Sequence, residues 1–185
     1  MRSIQSFVIA TFVFSGTAPL LAQTVTDSAS GLSVTPPPGY TAEISPPRPR
    51  YVVDILVRRP QDRPNVGCRV GFQSAPQNNS LTQAQINEQA AKPEWRSLIR
   101  ATLELIYDVT SIESFEHNGI KGAVVIALIK PRDGLPPEAA DVRNFLTMLE
   151  TPKGRTNVVC IDFKDAFEAR RTEFEQVVRG VTMAR

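Results

Sequence analysis

Residues 123–129, Ala-Val-Val-Ile-Ala-Leu-Ile, are apolar at every position. A strand solvated on one face alternates apolar and polar side chains, so an unbroken apolar run has to be covered on both faces. The run follows Asn118-Gly119, and apolar residues stand on either side of that pair. Both residues tolerate the positive φ of a type I′ turn, which makes Asn-Gly the strongest short hairpin signal. Residues 112–116 and 120–130 therefore read as a hairpin inside an antiparallel sheet that carries other structure on both sides. The chain can supply it: 42% of its 185 residues are hydrophobic and 22% charged, enough for one domain around one core. Disorder, collagen and low-complexity fibre are excluded.

The rest of the chain reads as short strands and three helices. Residues 31–35 alternate like a strand that Pro36-Pro37-Pro38-Gly39-Tyr40 stops, and residues 41–44 follow as another. Residues 51–57 and 66–72 form a predicted hairpin with a long loop. Thr82-Gln83-Ala84-Gln85 fits a capping box. Its helix stops before Pro93, where a second begins with Trp95, Leu98, Ile99, Thr102, Leu105 and Ile106 as its apolar stripe. Residues 130–142 form a loop of the length at which functional loops are enriched. Residues 145–150 and 156–163 make a second hairpin across 151–155. A closing helix starts at Asp165, with Glu168 completing a cap pattern and Phe167, Phe174, Val177, Val178 and Val181 on one stripe. The expected class is α+β, an antiparallel sheet with helices on both faces.

The N-terminus reads as an address. Met1-Arg2-Ser3 is a short basic start, residues 7–14 form an apolar run broken by Thr11, and Gly16, Pro19 and Leu20-Leu21-Ala22 lead to a small residue. This is the pattern of a signal peptide, residues 1–22, cut after Ala22. A membrane anchor is disfavoured by Thr11, Ser15, Gly16, Thr17 and Pro19 and by the lack of a basic flank. Gln23 rather than Cys follows the cleavage point, so no lipid is attached there. The expected mature protein is periplasmic or secreted, with 23–30 a flexible lead-in and 31–185 a single α+β domain. In an oxidising compartment Cys68 and Cys160, the two cysteines of the chain, have one connectivity available. Each sits in a strand-like segment, and the alternative of two buried thiols stays open because a disulfide requires matching register.

Few residues here could carry chemistry. The sole histidine, His117, adjoins the Asn-Gly turn, where an exposed, solvated side chain is expected. The chain has no nucleophile elbow, phosphate loop or zinc-helix motif. Two cysteines and a distant histidine make no metal cluster, and no cofactor is expected. Among carboxylates, Asp165 reads as a cap and Glu94 as a favourable first-turn residue, while Asp54 and Asp162 are expected to be turned outward by strand alternation. Asn78-Asn79-Ser80 matches a glycosylation triplet. The most distinctive feature is basic: Arg48, Arg50, Arg58, Arg59, Arg63 and Arg69, opposed locally by Asp54 and Asp62. Arg58, Arg59 and Arg63 share a proline-framed loop that would gather positive charge for a carboxylate, an anionic surface or a partner protein. With a net charge of +2 and no interleaved aromatics, nucleic acid is not the expected partner.

The order of these elements, a strand followed by Pro38-Gly39-Tyr40, a helical insertion, two hairpins around an Asn-Gly turn and a closing Phe-x-x-Val-Val-x-x-Val helix, resembles the PsbP/DcrB-like superfamily over residues 31–182. The resemblance implies a small exported α/β/α sandwich that works as an extrinsic subunit or assembly factor rather than as an enzyme. Tyr40 stands where that group commonly has tryptophan. The expected function is an exported, non-catalytic binding or accessory module engaging a partner protein or anionic envelope component through Arg58, Arg59 and Arg63. The alternative is a small periplasmic enzyme using carboxylates near the arginines, which a deep pocket holding Asp54 or Asp162 beside arginine would favour. On this reading, joint replacement of the three arginines by Ser leaves folding nearly unchanged, and His117→Gln changes nothing.

Overall fold

Asn118 and Gly119 carry φ angles of 52° and 74°, and the turn they make is the I′ hairpin expected from the pair. The computed structural model describes residues 23–184, so the signal segment 1–22 lies outside the described residues. The hairpin joins β6 (Tyr107–His117) to β7 (Ile120–Ile129), longer at its open end than the sequence pattern indicated. A two-residue turn joins β8 (Val142–Thr151) to β9 (Gly154–Phe163). With β3 (Thr41–Ser45), β4 (Val53–Arg58) and β5 (Gly67–Ser74) these strands form one antiparallel sheet of seven, ordered β3-β4-β5-β9-β8-β7-β6.

Helix α3 (Lys164–Arg179) covers one face and α1 (Gln83–Ala91) with α2 (Pro93–Leu103) packs over β6, β7 and β8. The non-alternating strand accounts for both layers. Val124 and Ile126 of β7 join Phe145, Phe167, Phe174 and Val177 in the larger core, whereas Ala123, Val125 and Ala127 join Ile99, Leu146 and Met148 in the smaller one. The fold is thus α+β with helices on both faces of an antiparallel sheet. A second, three-stranded sheet of β1 (Val25–Thr26), β2 (Ser33–Val34) and β10 (Val181–Thr182) packs beside α3.

Cys68 of β5 and Cys160 of β9 stand directly opposite each other and are joined in a disulfide, with their Cα atoms 3.9 Å apart. The register of the β5–β9 pair, which joins strands far apart in the chain, is what the sequence pattern left open.

Local signals held where they are local. Thr82 Oγ1 accepts from the Gln85 backbone N–H at 3.3 Å and Gln85 Oε1 accepts from the Thr82 N–H at 2.8 Å, a complete capping box. Several expectations are corrected. Residues 23–30 are not a loose lead-in, because Val25 pairs with Val34 and Asp27 accepts from the Ser30 N–H. Those Ser30 hydrogen bonds hold the Asp27 carboxyl below its ordinary value. Val181 belongs to β10 rather than to the closing helix. That helix is preceded by Phe163 with no side-chain cap, and Asp165 lies within its first turn, where its charge complements the helix dipole. The α2 stripe is only partly realised: Ile99 faces the core and Leu98 is exposed, while Leu105 and Ile106 lie beyond the helix end and are exposed too. The loop 130–142 contains a short 3-10 helix, Pro137–Asp141.

Candidate functional site

The apolar stripe of α3 is interrupted by an arginine. Phe167, Arg170, Phe174 and Val178 fall at spacings of three and four, so Arg170 points to the same side as the phenylalanines and is 7% exposed. A guanidinium cannot stay charged there without partners. Its Nη1 donates to Asp62 Oδ1 at 2.9 Å and to Asp162 Oδ2 at 3.0 Å. Its Nη2 donates to Asp62 Oδ2 at 3.0 Å and to the Tyr40 hydroxyl at 2.7 Å. The guanidinium also lies against the Tyr40 and Phe174 rings, at 5.6 and 5.3 Å from their centroids.

The network closes on itself. Tyr40 donates its hydroxyl hydrogen to Glu173, which is also paired with Arg59. Asp162 Oδ1 accepts from the Phe163 N–H at 2.8 Å, and Asp62 Oδ2 from the Arg59 N–H at 2.9 Å. Burial pushes the Tyr40 phenol up to about 12, an effect the Arg170 hydrogen bond only partly opposes. For Arg170, burial acts to lower the pKa, but the hydrogen bonds to Asp62 and Tyr40 outweigh it and the group is held above its ordinary value.

Beside the network lies a cleft of about 530 Å³ lined by Gln61, Asp62, Arg63, Asp162, Arg170 and the first turn of α3. Asp162 is 4% exposed and Asp54 is 0% exposed, so neither is turned out to solvent as strand alternation alone implied. Asp54 sits on the opposite face of the sheet, where Arg48 Nε reaches it at 2.6 Å and Arg69 Nη1 at 3.3 Å. Alternation separates the two faces of a strand, but the tertiary structure decides what covers each.

The arginines singled out by the sequence are distributed rather than gathered. Arg59 pairs with Glu173 and lies over the Tyr40 ring at 5.4 Å. Arg63 is exposed, on the cleft wall, with its guanidinium 4.6 Å above the Phe163 ring. Arg58 ends β4 one residue after the core residue Val57, half-buried and directed to the other face. Replacing all three would therefore also break the half-buried Arg59–Glu173 ion pair. His117 is likewise no solvated turn residue. It is 8% exposed, and its Nε2 lies 2.9 Å from the Val181 carbonyl, tying the hairpin end to β10. Asn78 of the glycosylation triplet is buried against Glu150 and Thr151. Sequence reasoning missed Tyr40, Asp62 and Arg170 as a unit, although an arginine inside an apolar helical stripe was a usable signal.

In chemical terms the two buried carboxylates of the cleft, Asp62 and Asp162, have both oxygens hydrogen-bonded, while Asp141 and Asp165, which also line it, are exposed. Among the described residues there is no group of three or more His, Cys, Asp or Glu placed to hold a metal ion. No helix of the described residues is long and apolar enough to cross a membrane. The layered sheet, the closing α3 and the helical insertion before β6 can be set against solved structures. The solution structure of cyanobacterial PsbP from Synechocystis sp. PCC 6803 superposes with a TM-score of 0.57, covering 94% of this chain and 98% of that one. The fold is PsbP-like. At 12% sequence identity, the likeness to PsbP concerns the fold alone. No family model and no curated protein matches the sequence. Relative to the PsbP-like sandwich, the Arg170 network sits where α3 meets the 59–66 loop.

Proposed function

We propose that the chain is an exported, non-catalytic accessory module that docks a partner protein by the end of the sandwich bearing the 59–66 loop and the first turn of α3. The observation that carries this reading is the pinning of that loop. Asp62 is gripped by Arg170 at 2.9 and 3.0 Å, and Arg59 is tied to Glu173. A loop ordered before association loses little conformational freedom when it binds. Arg63, exposed on the cleft wall and steadied over Phe163, is the side chain of this loop best placed to meet an acidic group on a partner. Export is supported by the signal-like residues 1–22 and by the Cys68–Cys160 disulfide, which belongs in an oxidising compartment.

The enzyme alternative draws on the cleft that joins Asp162 to arginine. A general base, however, needs a lone pair aimed at substrate. Each oxygen of Asp162 and Asp62 already accepts from Arg170, the Phe163 N–H or the Arg59 N–H, which weakens both as bases, and the other carboxylates of the cleft, Asp141 and Asp165, are exposed to water. The deciding experiment places a photocrosslinking amino acid at Gln61 in the native host and compares wild type with Arg63→Ser. A discrete crosslinked partner, weakened by salt and by Arg63→Ser while the melting temperature holds, is the expected outcome. Crosslinking indifferent to Arg63, or a turnover activity abolished by Asp162→Asn in a folded protein, would overturn the reading.

A further inference from the structure

The face of β4, β5 and β9 turned away from α3 has side chains in rows. Leu56, Arg69, Val159 and Leu146 are register neighbours across four strands, and Asp54, Gly71, Asn157 and Met148 form the next row. Helices α1 and α2 cover β6 to β8; beyond them Leu56, Val159 and Ile161 are only half-buried. The segment before β4 folds back over this face. Tyr51 lies so close above Gly71 that a Cβ there would come within 2.3 Å of its ring, which is why the position takes glycine.

The result is a groove of three adjoining compartments. The apolar one, about 240 Å³, is walled by Ile129, Leu135, Pro136, Ala139, Val142 and Ile161. It shares Asn65, Val66 and Ile161 with a middle compartment of about 260 Å³ that contains Arg48 and Arg69. That one shares Arg48 and Val159 with a third, of about 210 Å³, bounded by Tyr51, Leu103 and Tyr107. Each is smaller than the roughly 300 Å³ at which drug-sized ligand sites begin, but their shared lining residues set them side by side in a row along the sheet face. A chain-like ligand fits that shape. An extended peptide would lack backbone partners, because the floor is a sheet face and not an edge.

Charge specifies the other end of the ligand. Arg48 and Arg69 share a single fully buried carboxylate, Asp54, so the pair keeps an excess of one positive charge. Both side chains stay more than a third exposed, and the Arg48 guanidinium lies 4.5 Å from the centroid of the Tyr51 ring. Tyr107, whose phenol is raised by burial and by Tyr51, also feels the positive charges of Arg48 and Arg132. Arg48 and Arg69 thus place net positive charge in the middle compartment, while the walls at Leu135, Pro136, Ala139 and Val142 are apolar and the charged Glu138 among them is exposed to water.

We infer that this groove binds a single-chain amphiphile with an anionic head, a medium-chain fatty carboxylate, its head paired with Arg48 and Arg69 and its chain lying over Val159 and Ile161 toward Ala139. The groove borders the docking end proposed above, sharing Asn65 and Val66 with it, but its cationic pair, Arg48 and Arg69, belongs to the other face of the sheet, so the inference does not depend on that reading. The probe is sodium dodecanoate below its micellar concentration, titrated into the mature disulfide-bonded protein and followed by calorimetry and methyl chemical shifts. Saturable binding of one molecule per chain is expected, with shifts at Val159 and Ile161. Arg69→Gln, which leaves the 2.6 Å Arg48–Asp54 pair in place, should weaken it by about tenfold or more, as loss of a charge-assisted pair implies. Ala139→Phe, which fills the apolar end, should weaken it similarly, and Arg179→Ser, at an exposed position of α3 that lines none of the three compartments, should not. Equal binding of dodecanol or dodecyltrimethylammonium would overturn the inference. So would an absence of saturable binding, or shifts confined to exposed Leu98 and Leu105. Since the shift mapping uses wild-type protein, it decides the matter even if a variant fails to fold.

Discussion

Replacing Arg170 by Met leaves the apolar stripe of α3 intact and removes only the charge at its centre. The guanidinium supplies four hydrogen bonds of 2.7 to 3.0 Å. The carboxylates it serves have side chains only 7% and 5% exposed, so water cannot substitute for it. Breaking a buried pair by deleting one partner costs about 3 to 5 kcal/mol, because the remaining charges stay desolvated. For a domain of this size each kcal/mol lowers Tm by about 2 to 4 °C, which gives a fall of about 6 to 20 °C. Urea unfolding at neutral pH, with an unchanged slope against denaturant, measures the loss directly. Adding Asp62→Asn and Asp162→Asn to Arg170→Met should recover a large part of it, since amides carry no uncompensated charge. A loss below about 1 kcal/mol, the worth of an exposed ion pair, would refute the reasoning. So would a triple variant no more stable than Arg170→Met alone.

Reduction of Cys68–Cys160, which closes a loop with a separation of 92 residues, should cost about 4 to 5 kcal/mol by chain entropy, read as a drop in Tm on adding reductant. His117→Ala should cost about 1 to 3 kcal/mol, because it strips the Val181 carbonyl of its buried partner; an effect within error would return His117 to the solvated role its place in the sequence implied. Tyr40 keeps its proton in the folded state up to about 12, against 10.0 in the unfolded chain. Its contribution is therefore complete below pH 10 and lost as pH rises toward 12, a loss that Tyr40→Phe should remove from the urea-midpoint profile.

What the sequence determined is what neighbouring residues decide among themselves. Asn118-Gly119 sets its turn because only those two backbones must adopt positive φ. Thr82 and Gln85 cap α1 because each reaches the other's amide. The unbroken apolar run of β7 required two covered faces, and the helices on either side of the sheet provide them. The connectivity of the two cysteines was legible, since each has one partner available, but the facing register that joins them was decided by the β5–β9 pairing.

The tertiary structure alone decided where charge goes. Asp62 and Arg170 are 108 residues apart and Tyr40 and Arg170 are 130 apart, so nothing local to Asp162 or Asp62 announces that a guanidinium will reach them. An isolated buried carboxylate is too costly to form, whereas one facing Arg170 is not, and that difference lies in packing rather than in residue type. Strand alternation could say that Asp54 points away from Val53 and Ile55, but not that Arg48 and Arg69 would close over it. The same holds for Arg58, Arg59 and Arg63, which share a short stretch of chain yet end on different faces. Their fates were set by Glu173, Phe163 and the end of β4, partners that only the folded sandwich brings within reach.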